Sequence, residues 1–515
     1  MIGVRKERLF PMERKIFWWV FWMMLGRSLG GGMAWGEETA KAAPSQRSKW
    51  NFIFFLIDDL GWTDLGCFGS DLYQTPAVDR LAREGMRFRS AYSACTVCSP
   101  TRAAVLTGKY PARLHLTDWI PGHQRPNAPL RIPDWRKFLP LEEVTLAEVL
   151  RSAGYFTAHI GKWHLGPEGF WPTDQGFMVN VAGCHLGQPP SYYWPYQRGK
   201  QRLPNLELTP ETEQMYLTDR LAQEAVRLIR AHAHEPFFLY IATYQVHTPI
   251  EPKKEYVPKY EAAVRPGMKH RNPQYAAMVQ SMDELVGRVL AVLDEQKLAD
   301  RTVIFFTSDN GGLSRLGREG RNPTDNSPLR EGKGSPYEGG VRVPLVVRWP
   351  GVIQPGSTCD EPVISVDFFP TILEMAGLAK PPEAGPVDGV SLVPVLKDPK
   401  SRLPREAIYW HYPHYHPGGA TPYGAVRAGD WKLIEFYEDM HVELYNLKED
   451  IGETTDLAGK VPHQAARLRQ MLHQWRQSVG AQMPQPNPNA AKPSPAPSPA
   501  SKEKVPKQIT FSVTF

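Results

Sequence analysis

Asn51-Phe-Ile-Phe-Phe-Leu-Ile57, closed by Asp58-Asp59, is the stretch from which the fold is read. A strand with one wet face alternates apolar and polar residues. A continuous apolar run is instead buried on both faces, as strands inside a parallel sheet are. Similar runs recur at 237–242, 303–307 and 345–349, and they alternate with stretches at 76–84, 146–153, 213–231 and 275–296 that predict helices. This alternation predicts an α/β fold, a mostly parallel sheet flanked by helices on both faces. Ligands of such sheets bind beyond the carboxyl ends of the strands. Two runs end there in polar groups: Asp58-Asp59 follows the first, and Ser308-Asp309-Asn310-Gly311-Gly312 follows 303–307.

Past residue 396 the texture changes. Short strand-like pieces at 424–427, 431–436 and 442–446, then an amphipathic stretch at 464–478, predict a small antiparallel sheet covered by one helix. Residues 483–507 are rich in Pro, Ala, Ser and Lys, which predicts a disordered tail over 483–515. At the other end, Arg5, Lys6, Arg8, Arg14 and Lys15 precede an apolar run at 16–25 and a Gly-rich stretch ending in Ala34-Trp35-Gly36. That order predicts a signal peptide over 1–36 and export to a periplasmic or extracellular destination. The apolar run falls short of the ~20 residues of a membrane span, and Arg27 interrupts it. The organisation expected is therefore a signal peptide, a catalytic domain at 50–396, a C-terminal subdomain at 397–482 and the tail.

With 515 residues the chain is too long for one small binding module. Its 42% hydrophobic and 22% charged residues exclude collagen-like, coiled-coil and mainly disordered classes. A net charge of +6, spread along the chain, gives no reason to expect nucleic acid as a partner. The five cysteines, Cys67, Cys95, Cys98, Cys184 and Cys359, are too few for a disulfide scaffold and odd in number, so at least one is expected to be unpaired or chemically special.

Asp58, Asp59, Asp309 and Asn310 offer only oxygen donors, the ligands that hard divalent ions prefer, above all calcium. Each pair also reads as a turn or a helix cap. Cys98-Ser99-Pro100-Thr101-Arg102 is more unusual, because it leads a thiol into a predicted helix and places Arg102 one turn later on the same face. A buried structural cysteine, or a Cys95-Thr-Val-Cys98 redox pair, is the other reading; neither accounts for Pro100 and Arg102.

Cys98-Ser-Pro100-Thr-Arg102, with Leu106-Thr107-Gly108 after it, resembles the signature of the type I sulfatases, the formylglycine-dependent and arylsulfatase-like members of the alkaline phosphatase superfamily. Gly154-Tyr-Phe-Thr-Ala-His-Ile-Gly161-Lys162-Trp163-His164-Leu-Gly166 resembles the second motif of that family. Asp58-Asp59-Leu-Gly-Trp, Gln245-Val-His247-Thr-Pro, Ser308-Asp309-Asn310-Gly-Gly and the segment from Lys333 to Pro344 follow in the family's order, and the resemblance runs from about Trp50 to Ser478. Thr96 is a small departure, standing where the family usually has a smaller residue.

The resemblance implies an alkaline-phosphatase-like sheet and a sulfuric ester hydrolase whose Cys98 is oxidised to Cα-formylglycine by a separate maturation enzyme that reads Cys-x-Pro-x-Arg. One hydroxyl of the hydrated aldehyde would attack sulfur, and the other would let the hemiacetal sulfate collapse and regenerate the aldehyde. Asp58, Asp59, Asp309, Asn310 and modified Cys98 would bind Ca2+. Arg102 would steady the diol, while Lys162 and Lys333 would neutralise sulfate. His164 would take the proton that triggers breakdown, and His247, with Lys333, would protonate the leaving alkoxide. His115, His232, His234 and His473 lie outside every motif and read as surface or packing residues. A phosphodiesterase or phosphonate hydrolase of the same superfamily, and an inactive binder of sulfated glycans, are the alternatives. Aromatic stretches at 118–123, 185–194 and 409–416 favour a sulfated glycan as substrate by offering faces for sugar rings; otherwise they stiffen long loops.

Overall fold

The computed structural model describes residues 49–207, 209–314 and 322–490. Its centre is an eight-stranded sheet in the order Ser357–Cys359, Met86–Phe88, Leu345–Arg348, Thr302–Ser308, Asn51–Ile57, Phe237–Ala242, Phe156–Gly161 and Val179–Val181. Asn51–Ile57 lies between parallel neighbours on both sides, as its unbroken apolar run requires. Successive side chains leave a strand on opposite faces. Ile53, Phe55 and Ile57 accordingly join the core under the helices Pro76–Glu84, Leu217–Ala231 and Pro273–Glu295. Phe52, Phe54 and Leu56 join the opposite core, with Cys98–Thr107, Leu146–Ser152 and Phe368–Met375. Each such fully buried side chain contributes roughly 1.5–3 kcal/mol.

Two boundaries shift from expectation for local reasons. The helix expected at 213–231 begins at Leu217, because Tyr216 is extended. The helix expected at 275–296 begins at Pro273, where Asn272 accepts hydrogen bonds from the backbone N–H groups of Gln274 and Tyr275. The strand Leu345–Arg348 runs antiparallel to both neighbours. An apolar run encodes burial and not direction. Here the chain returns from the carboxyl end of the sheet, and an antiparallel return needs no crossover helix.

The C-terminal part is a four-stranded antiparallel sheet, Ile408–Tyr412, Tyr423–Ala428, Trp431–Phe436 and Val442–Asn446, covered by the helix Pro462–Ser478. A buried ionic cluster ties it to the larger sheet: Lys432 Nζ stands 3.0 Å from Glu338 and 2.9 Å from Glu453. Among the described residues no helix is long and apolar enough to cross a membrane. All five cysteines are free thiols.

The start of the expected disordered tail is ordered. Gln485–Pro486 pairs antiparallel with Leu130–Arg131, and the Asn487 side chain donates to the carbonyls of Pro126 (2.8 Å) and Ala128 (2.7 Å). These backbone and amide bonds anchor a segment that has little apolar surface of its own. Residues 491–515 and the expected signal peptide at 1–36 lie outside the described residues.

Candidate active site

The site forms where two parallel strands end side by side. Ile57 pairs with Ser308, so Asp58-Asp59 and Asp309-Asn310 leave the sheet together. Asp59 turns back with φ 60°. Its N–H donates to Asp309 Oδ1 (3.2 Å), and Asn310 Nδ2 donates to Asp59 Oδ1 (2.7 Å). All four side chains are buried, and Asn310 Oδ1 has no hydrogen-bond partner.

Cys98 is the first residue of the helix Cys98–Thr107, at its positive end. Burial pushes its thiol up, while Lys162 and Lys333 pull the other way. Lys333 Nζ stands 3.5 Å from Cys98 Sγ and 2.7 Å from Asp59. Thr96 fits the turn before Cys98 by donating its hydroxyl to the Ser335 carbonyl (2.8 Å), which ties that turn to the Lys333 loop. Arg102 spends its guanidinium on Asp309 Oδ2 (2.9 and 2.7 Å) and on the Lys162 carbonyl (2.9 Å). It therefore holds Asp309 in place. Lys162 is fully buried, with Nζ 2.9 and 2.7 Å from the two oxygens of Asp58.

The three carboxylates fare differently. Burial, with Asp309 and Asp59 nearby, pushes Asp58 up to about 8 in spite of Lys162. Burial would raise Asp59 as well, but Lys333, His247 and Lys162 outweigh it and hold that carboxyl well below the usual range. Asp309 is held down against burial by Arg102 and Lys162. The cluster is thus short of positive charge at Asp58.

Both predicted histidines are neutral. Burial and Lys333 push His247 down to about 3. Its Nδ1 donates to the Thr248 carbonyl (2.8 Å), which leaves the Nε2 lone pair 3.6 Å from Asp59 Oδ2. Burial, then Lys162, holds His164 well below the ordinary histidine range.

Cys98, His164, His247 and Lys333 line one cavity of about 390 Å³, while Arg102 and Lys162 lie outside its lining. His416 lines it too and was not among the expected site residues. It was legible only as the end of the aromatic stretch 409–416. Its ring packs on Gly334, φ 86°, where a Cβ would come 2.1 Å from Nδ1, so this glycine makes room for it. The aromatic stretches themselves mostly build core. Trp410, Tyr412, Tyr415 and Tyr192 are at most 2% exposed, and Trp119 is the one large ring of those stretches that lines the cavity. None of His115, His232, His234 and His473 lines it. His115 bonds the Gly480 carbonyl, His232 stacks on Phe156 and His473 pairs with Glu435.

A cation fits this constellation. Single ligand atoms of Asp58, Asp59, Cys98 and His247 lie within 4.8 Å of one another. The unpartnered Asn310 Oδ1 and the charge deficit at Asp58 add an oxygen donor and an electrostatic demand, both of which suit a hard divalent ion.

Comparison with known proteins agrees with this chemistry. The sulfatase family matches residues 50–378, and the C-terminal region of N-sulphoglucosamine sulphohydrolases matches 333–479. A sulfatase of Formosa agariphila is 34% identical over 513 residues, covering 85% of this chain and 90% of that protein. Among solved structures, Ps i-CgsB in complex with k-i-k-neocarrahexaose superposes with a TM-score of 0.68 at 29% identity, covering 83% of this chain and 93% of that one. BT4656 in complex with its substrate D-glucosamine-2-N,6-O-disulfate does so with a TM-score of 0.66 at 25% identity, covering 84% and 98%. The chain belongs to the sulfatase family and is a sulfuric ester hydrolase of the arylsulfatase-like group within the alkaline phosphatase superfamily.

Proposed function

We propose that this sulfatase is exported and hydrolyses sulfate esters of carbohydrates, using a formylglycine made from Cys98 and a bound calcium ion. The observation that carries the reading is the seating of Cys98: a buried thiol at a helix start, 3.5 Å from Lys333, at a cavity shared with His164 and His247. Cys95, three residues earlier, is pushed up by burial and does not line that cavity. Export is supported by the basic, apolar and small-residue order of the N-terminal sequence.

Asp58, Asp59, Asp309, Asn310 and position 98 would hold the ion. When bound, calcium supplies a Lewis acid that makes the nucleophile more acidic and polarises the sulfate. Conversion of Cys98 by a maturation enzyme supplies an aldehyde hydrate, with one hydroxyl for attack on sulfur and a second for release. The chain's own residues do the rest. Lys333 faces the sulfate charge through the transition state, Lys162 adds positive charge from behind Asp58, and Arg102 fixes Asp309. His247, with Lys333 beside it, delivers a proton to the leaving oxygen; entering neutral, it must first gain that proton on Nε2, which the negative charge of a bound sulfate favours. His164 accepts the proton that accompanies release.

The carbohydrate assignment is supported by the saccharides bound in the two solved relatives and by a cavity in which Trp119 stands with the polar tips of Gln188 and His416. The test is a comparison of kcat/KM for sulfated mono- and oligosaccharides, a steryl sulfate and an activated aryl sulfate. A sulfated saccharide should give the highest value once leaving-group reactivity is allowed for. A steryl sulfate turned over better than every saccharide would overturn the assignment.

A further inference from the structure

His164 is held more closely than its role as a base by itself requires. Its Nε2 lies 2.5 Å from the Ile120 carbonyl oxygen. A carbonyl only accepts, so Nε2 carries the proton of the neutral ring, and the free lone pair is on Nδ1. That Nδ1 is buried and has no hydrogen-bond partner. Gly187 packs against the ring, where a Cβ would come within 2.6 Å of Cε1, so only a glycine leaves room for the imidazole here.

Ile120 is itself anchored through the backbone that leads into it. Its N–H donates to Ser99 Oγ (3.2 Å), the side chain next to Cys98. Two residues earlier, Asp118 is fully buried and its Oδ1 accepts from the Trp119 N–H (2.9 Å) and the Tyr412 hydroxyl (2.8 Å). Tyr412 ends the first strand of the C-terminal sheet. One continuous path of bonds thus runs from that sheet, through Asp118 and the Ile120 peptide, to both the Cys98 turn and the His164 ring.

We propose that segment 118–120 is the positioning element of His164: Asp118, anchored by Tyr412, and Ser99 hold the Ile120 carbonyl where it fixes the orientation and tautomer of the imidazole, keeping Nδ1 as the basic atom. This rests on the reading of His164 as the base of the release step. Asp118, Ser99 and Tyr412 are positioning residues and touch no reacting atom. The proposal also assigns the C-terminal sheet a part in catalysis, since Tyr412 belongs to it.

The test uses full-length protein in which conversion of Cys98 has been verified by mass spectrometry. Asp118→Ala removes the acceptor for both donors. Tyr412→Phe is the milder second variant, for the case in which Asp118→Ala does not fold. Asp118→Asn keeps an oxygen for both donors and should recover most of the loss. The first readout is 15N NMR of histidine-labelled protein, with the His164 signals assigned by their absence in His164→Gln. Wild type should show a single Nε2–H tautomer, and Asp118→Ala or Tyr412→Phe a mixture. The second is kinetic: kcat should fall about tenfold in Asp118→Ala, less than the ~10²-fold or more expected for His164→Ala. KM should fall in parallel, kcat/KM should stay within about twofold, and a burst of alcohol should appear, because only the step after alcohol departure is slowed. An unchanged tautomer in both anchor variants would overturn the positioning, and a shifted tautomer with equal losses in kcat and kcat/KM would overturn the release-step reading. If the anchor variants shift the tautomer but His164→Ala shows no burst, the positioning stands and the release-step reading fails.

Discussion

Two buried clusters of carboxylates and cations can be compared in this molecule. At the junction of the sheets, Lys432 sits between Glu338 and Glu453; at the carboxyl end of the large sheet, Lys162 and Lys333 sit against Asp58 and Asp59. Their electrostatics are alike. In each, one carboxyl is held low and the other pushed up by burial: Glu338 about 2 against Glu453 about 7 at the junction, and Asp59 below the usual range against Asp58 about 8 at the site. A perturbed carboxylate therefore does not distinguish a catalytic cluster from a structural one here. What distinguishes them is access. The site opens on a cavity of about 390 Å³ lined by the nucleophile position and two neutral histidines, whereas Lys432, Glu338 and Glu453 are fully buried and do not line it.

The largest expected contrast comes from removing one lysine from each cluster. Lys333→Met should lower kcat per folded molecule by roughly 10²–10³, the usual cost of losing one preorganised charge at a reacting group, beyond any destabilisation from leaving Asp59 without its cation. Lys432→Met leaves two buried carboxylates without their cation and should destabilise by about 3–5 kcal/mol in denaturant titrations, while activity per folded molecule stays near wild type. Reversed outcomes would mean that the junction is the functional cluster.

His247 gives the next effect. A sugar alkoxide needs a proton as it leaves and a nitrophenolate does not, so His247→Ala should cost a sulfated sugar about 10²-fold more in kcat/KM than an activated aryl sulfate. Equal losses on the two substrates would move the acid role to Lys333.

Asp58 supplies a pH test. Its pKa is raised from 3.8 unfolded to about 8 folded, so its proton stabilises the calcium-free protein fully below pH 3.8, and that contribution is lost as pH rises through about 8. A cation must displace this proton, and its binding therefore strengthens with pH over the same window. The gap in Tm between calcium-loaded and EGTA-treated protein should widen from pH 5 to pH 8. A gap that narrows would show that Asp58 is not a ligand, and stoichiometric zinc in active protein would replace calcium in the account.

The smallest effect concerns residues 483–490. Truncation after Gln482 removes the pairing with Leu130–Arg131 and the Asn487 bonds, while the bond from His411 Nε2 to the Gln482 carbonyl (2.9 Å) remains. A loss of about 1–2 kcal/mol is expected from these few bonds, read as a Tm lower by a few degrees, with kcat almost unchanged.

Much of this fold could be read from the sequence, because burial on both faces leaves a mark that needs no partner to be recognised. The runs at 51–57, 237–242 and 303–307 are of that kind, and so are the oxygen donors that follow two of them. Strand direction was not legible at Leu345–Arg348, since the same apolar run serves either orientation. The stretch 409–416 reads as a pocket loop because its rings suit a sugar, whereas Trp410 and Tyr412 pack in the core of the C-terminal sheet. Averaged composition concealed the docking of 483–490, which depends on one asparagine meeting two loop carbonyls. At the site, side chains within motifs were legible. The Ile120 carbonyl and the His416 ring were not, because a backbone acceptor has no sequence signature and His416 reaches the cavity only through tertiary packing.

Position 98 is expected to act as an aldehyde hydrate and not as a thiol. Protein prepared with graded co-expression of a maturation enzyme can be assayed for turnover and, by mass spectrometry of the peptide containing Cys98, for the fraction converted. Turnover should rise in proportion to that fraction, pass through zero for the unconverted thiol, and be absent in Cys98→Ala at unchanged Tm. Full turnover by protein whose Cys98 is entirely unconverted would contradict the account.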